Sequence, residues 1–332
     1  MAEQARRSGF TLIELLTAVT IIALITVGLG QLVIFNDRAY QNVDQTTDAQ
    51  QSLRAVVDLM ERDLRHTGML VPEVTSACGV DSTSGPDRLY TTDWQAVEPG
   101  SDLIAYGGAQ ILAPSSFSGT VLLNLNSLIL EPAPPLRAAY DVNNDGTNDS
   151  DFRVGAGAII ASTTSPGRGT ACGTVTAVDV GGSRITVELA ATFASTAPGG
   201  DSFVAVPANE YRVVGDRIFW SGMLLSHGVE DFQVAYIFDE DGDNVIDAGE
   251  TRGDGQNPNP NYVSSARPAS ELREVRASFV TRTRLEDQEW TQGQPLATEN
   301  RVLGGPPNDG FRRRLITTRV RLRNVGRRIG VI

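Results

Sequence analysis

The chain has 332 residues, 41% apolar and 20% charged, enough to bury the core of one large domain or two smaller ones. All 28 basic residues are arginine against 40 acidic ones, a formal charge of −12, so a phosphate-loop lysine, a Schiff-base lysine and a lysine general base are excluded. Two histidines, His66 and His227, and two cysteines leave too few ligands for a Cys/His metal centre or an imidazole-based triad.

Residues 1–9 are polar and carry Arg6 and Arg7; an unbroken apolar run then extends from Phe10 to Phe35 with Glu14 as its one ionisable side chain. As a helix of ~1.5 Å per residue this run measures ~39 Å, more than the ~30 Å hydrocarbon core of a bilayer. It is longer than the apolar core of a secretory signal and no Ala-x-Ala follows, so it reads as a membrane helix that is retained. The arginines hold its start in the cytoplasm and send everything after Asp37 across the membrane. Thr17, Thr20, Thr26, Gly28 and Gly30 are of the size that lets membrane helices approach closely. Glu14 suits a helix N-terminal dipole, yet a carboxylate within an apolar span also asks for a partner.

Beyond Phe35 the chain turns polar but stays helical. Leu53, Val56, Val57, Met60 and Leu64 form one stripe of period near 3.6, and Gly68 marks the stop, with His66 capping carbonyls or facing water. After Gly68, short β-prone runs alternate with Gly, Pro, Asn and Asp clusters. Strands are predicted at 102–106, 120–130, 158–162, 173–178, 184–190, 202–207, 211–214, 217–221, 232–238, 274–284 and 315–325. No helices alternate with them, so the fold class is α+β: a long N-terminal helix on a large antiparallel β-rich head. The expected organisation is residues 1–9, a 10–35 membrane helix, a 36–68 amphipathic extension and a 69–332 head. Cys78 and Cys172 both fall on the far side of the membrane, where one disulfide is the expectation and two buried thiols the alternative.

Two acidic loops have the ligand spacing of calcium sites. In 239–250 the donors are Asp239, Asp241, Asp243, the Val245 carbonyl, Asp247 and Glu250, with Asn244 at the usual glycine position and Ile246 as the apolar pin. In 141–151 they are Asp141, Asn143, Asp145, Thr147 and Asp149, without the closing glutamate. The plainer reading of both is a turn whose Asp and Asn side chains bond their own backbone. The stretch from Arg312 onward carries eight arginines and no acid, and 317–325 alternates basic and apolar. Arg276, Arg282 and Arg284 can join that face from a neighbouring strand. Pairing with acids elsewhere is favoured over DNA phosphates as its role, because the chain as a whole is acidic.

The string Gly9-Phe10-Thr11-Leu12-Ile13-Glu14-Leu15-Leu16, after two arginines and before the apolar run, resembles the class III signal of type IV prepilins and type II secretion pseudopilins. The 58–69 segment and the arginine-rich final strand resemble the PilW type of minor pilin. The resemblance implies cleavage after Gly9 by prepilin peptidase, methylation of Phe10, and a Glu14 that neutralises a neighbouring subunit's amine. It further implies an inner-membrane protein with a periplasmic head that joins other minor and major pilins and the assembly machinery at the pilus. Major pilins often carry proline where this chain has Gln31, which suits a minor pilin. The alternatives are a pseudopilin and, from other classes, a membrane-anchored periplasmic enzyme or a ligand-binding adhesin. No serine-hydrolase elbow, zincin motif, phosphate loop or dinucleotide fingerprint occurs, so no catalytic residue is assigned and no enzyme is expected.

Overall fold

The structure is a computed structural model that describes residues 11–69, 71–82, 85–93, 110–113, 126–133, 135–136, 138–140, 146, 149–165, 168–193, 201–243, 245–247, 249–253, 271–287, 290, 297–302 and 309–325. The predicted strand at 102–106 and the first part of that at 120–130 lie outside these residues. One helix, α1, runs Leu12–His66. The chain packs as two units, Met1–Asp48 and Ala49–Ile332.

In the first unit the large apolar side chains from Leu12 to Phe35 are exposed, each more than half. A single window reaches a mean hydropathy of 2.4, so the helix is long and apolar enough to cross a membrane. Its threonines fit that solvent. Thr17 donates to the Glu14 carbonyl, Thr20 to Leu16 and Thr26 to Ile22, at 2.8–3.0 Å, so no hydroxyl needs water.

In the second unit, the predicted stripe is the buried face of residues 49–66: Leu53, Met60 and Leu64 are fully covered, with Val56 and Val57 beside them. Gly68, at φ +79°, ends the helix, and a β-carbon there would meet Val325 Cγ2 at 2.8 Å. His66 places Nδ1 2.7 Å from the Arg62 carbonyl.

The strands are β1 (Ala77–Val80), β2 (Arg88–Thr92), β3 (Gln110–Ile111), β4 (Ser127–Leu130), β5 (Ala138–Tyr140), β6 (Asp149–Ser150), β7 (Gly157–Ser162), β8 (Thr170–Asp179) and β9 (Arg184–Ala191). They continue with β10 (Phe203–Val214), β11 (Arg217–Trp220), β12 (Met223–His227), β13 (Val229–Phe238), β14 (Thr251–Arg252), β15 (Leu272–Arg282), β16 (Ala297–Thr298), β17 (Arg301–Val302) and β18 (Arg313–Arg321). All their pairings are antiparallel. A ten-stranded sheet follows β1-β2-β10-β7-β8-β9-β4, with β3 and the β11–β12 hairpin on β10; a four-stranded sheet follows β14-β13-β15-β18. The helix stripe packs in one core with Phe232, Val234, Phe279 and Val320 of the four-stranded sheet. A second core, with Leu130, Ile160, Val187 and Phe203, belongs to the large sheet.

Two predictions need correction. The separate strands at 202–207 and 211–214 are the single strand β10, although Pro207 sits within it. Pro207 faces Ala158 on one side, and its carbonyl accepts Asp93 N at 3.0 Å on the other. On that second side β3 ends at Ala205 and β2 begins at Ala208, so the missing N–H falls in a gap between partners. The final strand stops at Arg321 rather than continuing to 325. Several short strands, β1 and β2 among them, carried no apolar alternation strong enough to read.

Candidate functional site

The N-terminal motif and the 239–250 loop are the two places where the predicted site residues can be judged. Gly9 and Phe10 lie outside the described residues. Glu14 is described, and its carboxylate closes a capping box. Thr11 N and Oγ1 each donate to Glu14 Oε2 at 2.9 Å, and Glu14 N donates back to Thr11 Oγ1 at 3.4 Å. Thr11 therefore fixes where the helix begins, and the Thr-x-x-Glu spacing was the overlooked signal for it. The other oxygen of Glu14 stays on the surface at the very start of the apolar span.

The 239–250 loop leaves β13 and returns as β14. Asp239, buried, accepts Gly242 N at 2.8 Å; Asp241 accepts Asp243 N at 3.1 Å and Asp243 accepts Val245 N at 2.6 Å. Glu250 closes the loop by accepting Glu240 N at 2.8 Å and Asp247 N at 2.6 Å. Gly242 and Gly249 take φ of +78° and +101°, which lets the backbone fold back on itself. Carboxylate oxygens of Asp239, Asp241 and Asp243 come within 4.8 Å of one another, an all-oxygen set that fits a hard cation. Asp247 and Glu250 stand outside that group. Arg273 lies on Asp239 Oδ2 at 2.9 and 3.1 Å, so the loop's most buried acid already has one positive partner. Ile246 is half-buried against a cavity of about 130 Å³ shared with Asp239, Arg273, Glu274 and Arg321. Of the second loop, Asp141, Asn143, Asp145 and Thr147 fall outside the described residues, while Asp149 sits in β6 opposite Tyr140.

The two cysteines are bonded. Cys78 on β1 and Cys172 on β8 join across a sheet in which three strands separate them, and β1 also lies against β9, so the sheet curls back on itself. The arginine face forms as read: Arg319 pairs in register with Arg276, and Arg313 with Arg282. Acids answer it. Arg276 binds Glu299 at 2.6 and 2.9 Å, Arg312 binds Asp287 at 2.8 Å, Arg313 binds Glu230 and Asp309, and Arg319 binds Glu274. Asp309 is held below the ordinary carboxylate range, chiefly by its hydrogen bond from Arg313.

Sequence reasoning missed Asp63. This fully buried carboxylate on α1 takes three hydrogen bonds on Oδ2, from Tyr211 Oη at 2.7 Å, Trp220 Nε1 at 3.0 Å and Asn209 Nδ2 at 3.2 Å. Burial, then the Asp63 charge, push the Tyr211 hydroxyl well up, which keeps it a donor. Thr318 donates to Glu61 at 2.6 Å and Asn324 to the Arg65 carbonyl at 3.3 Å. The helix end is thus tied to β10, β11 and the C-terminal strand by polar anchors as well as by its stripe.

Two family models match this chain. The prokaryotic N-terminal methylation motif matches residues 4–30, which contain the capping box and the start of the apolar span. The model described as type IV pilus-assembly protein W matches residues 202–324, from β10 through the arginine-bearing β18. The chain carries a PilW-type segment behind a prepilin-type N-terminal motif. A type IV-like pilin from Thermus thermophilus is similar at 18% identity over 53% of this chain and 89% of its own, with a TM-score of 0.25. No curated protein matches the sequence. Together the two matches support a pilin role for the chain.

Proposed function

We propose that this pilin acts as a minor component that primes assembly of a type IV pilus and sits near its tip, where its large head serves motility, adhesion or DNA uptake. The observation that carries this reading is the helix start. An apolar rod, exposed along its length and with Glu14 as its one ionisable side chain, is suited both to lipid and to the packed helices of a filament. Cleavage after Gly9 would create an amine at Phe10, one residue from the Thr11–Glu14 box. A neighbouring subunit's amine would then meet the exposed carboxylate in surroundings that screen the pair little. Peptidase, other pilins and the inner-membrane machinery are its partners, and the head lies in the periplasm before assembly. A pseudopilin of a type II secretion system is the second reading, since the same N-terminal motif serves both. The balance of acids on the arginine face favours contacts between protein groups over DNA.

The test is Glu14→Ala in cells. The variant should be processed normally yet recovered in sheared pili at a tenth or less of the wild-type amount, about the effect of losing ~1.4 kcal/mol per contact. Unchanged recovery in the filament overturns the role of the charge.

The 239–250 loop is read as a calcium-stabilised turn. The carboxylates of Asp239, Asp241 and Asp243 repel one another, and a calcium ion would convert that repulsion into cross-linking. Adding calcium to EDTA-treated protein should raise its Tm, and Asp241→Asn with Asp243→Asn should reduce that rise. A rise of the same size in the double variant removes the loop from the account.

A further inference from the structure

Asp81 and Asp87 bracket the loop between β1 and β2 and are 5% and 1% exposed. Asp231 on β13, close by, is paired with Arg301. Among the described residues no arginine pairs with Asp81 or Asp87, so three carboxylates against one guanidinium leave a buried charge of −2. Asp87 accepts backbone N–H groups from Ser82 and Val234, both at 2.7 Å. Asp81 takes the Asn300 amide nitrogen at 2.6 and 2.7 Å. Burial first, then the Asp81 charge, push Asp87 up to about 8, and burial also raises Asp81.

Neutral oxygens nearby are unsatisfied too. Tyr236 is 1% exposed, its hydroxyl has no hydrogen-bond partner among the described residues, and Asp87 and Asp81 are its charged neighbours. That hydroxyl rests over Gly79, where a β-carbon would stand 1.6 Å from it, so only glycine admits it. Asn300 Oδ1 and the Oε1 of fully buried Gln233 are likewise without a partner, while Gln233 Nε2 donates to Gly85 O within the same loop at 3.1 Å. Native interiors seldom leave such groups unpaired. Two carboxylates with unpaired neutral oxygens beside them, in a cluster whose acids outnumber its arginine by two, offer the donor set of a hard divalent cation.

We propose that the 81–87 loop holds a calcium ion inside the head, with Asp81 and Asp87 as its charged ligands and the oxygens of Tyr236, Asn300 and Gln233 as the neutral donors available to it. The ion ties the β1–β2 loop of the large sheet to β13 of the four-stranded sheet and to the β16–β17 hairpin that carries Asn300. These segments are far apart in sequence, so one charge closes the head. The proposal does not depend on the 239–250 loop.

The test uses the full chain in detergent, stripped with EDTA and dialysed against radiolabelled calcium. In the Asp241→Asn, Asp243→Asn background the other loop is disabled through two exposed residues. That background should still take up one calcium per chain. Asp81→Asn added to it should weaken uptake by about tenfold or more, because ligand charge sets calcium affinity. Tyr236→Phe keeps the ring and removes only the hydroxyl, and it should weaken uptake by about threefold; it decides the matter should Asp81→Asn not fold. No uptake by the loop-disabled background, or uptake untouched by these substitutions, overturns the proposal. Loss of uptake confined to the Asp241 and Asp243 changes would instead assign the ion to the other loop.

Discussion

Asp63 illustrates how a single polar side chain fixes a helix on its head. A buried carboxylate is costly unless hydrogen-bonded, and here three donors from β10 and β11 converge on one oxygen. Asp63→Ala strands the Tyr211 hydroxyl, the Trp220 indole and the Asn209 amide together. It should lower stability by about 3 kcal/mol or more and Tm by several degrees. Asp63→Asn keeps an acceptor oxygen and should cost less. A thermal melt of Asp63→Ala that overlays the wild type would show that the helix end is held by its apolar stripe alone. From sequence, Asp63 looked like one more charge beside the stripe, because nothing local marks the strands that bind it some 150 residues later. Glu14 was legible because it is the one ionisable side chain in the apolar run, although its partner Thr11, three residues away, was overlooked. At low pH the arginine face offers a second check at this scale. Asp309 is depressed in the folded state, so its contribution is present above the ordinary value of 3.8 and is lost as pH falls through its lower folded value. Asp309→Asn should therefore flatten the acid limb of the stability curve slightly, and an unaltered limb would assign that limb to other carboxylates.

At the scale of elements, a bridge spans the curl of the large sheet. Cys78 and Cys172 are 94 residues apart and join strands that are not neighbours in the sheet. Closing a loop of that length is worth about 4–5 kcal/mol in the chain-entropy model, of which real bridges deliver a part. Cys78→Ala with Cys172→Ala should lower Tm by several degrees without altering the far-ultraviolet circular dichroism. Equal Tm for the oxidised and cysteine-free proteins would mean that packing alone closes the sheet. The even cysteine count and the compartment made this bridge readable, whereas the strand carrying Cys78 was not. Gly173, on the strand that carries Cys172, shows what only the fold reveals: a β-carbon there would stand 2.0 Å from the Glu188 carbonyl, at a bulge between β8 and β9. The sequence shows a glycine, but only the fold shows the backbone passing over it. Long strands with apolar alternation, such as β13 and β15, were legible because half of each pattern faces a core. Two- to five-residue strands owe their existence to partners distant in sequence, and β10 was divided because proline is read as a breaker wherever it stands.

For the whole molecule, the sequence divides labour between a rod and a head. The rod is apolar, capped by Thr11 and Glu14, with its threonine hydroxyls satisfied internally; it suits a protein that waits in lipid and then packs among like helices. The head has two cores, a bridge and a paired arginine face. This division was the most legible level of all, since charge spacing and hydropathy alone separate the two parts. The proposed cleavage between Gly9 and Phe10 would connect them to the pilus, because only a freed amine completes the chemistry proposed for Glu14. The most direct measurement is intact-mass and N-terminal analysis of the protein recovered from membranes. A chain beginning at Phe10 with one added methyl group is the expected result; a chain that keeps residues 1–9, or one that has lost the apolar run altogether, would contradict the account.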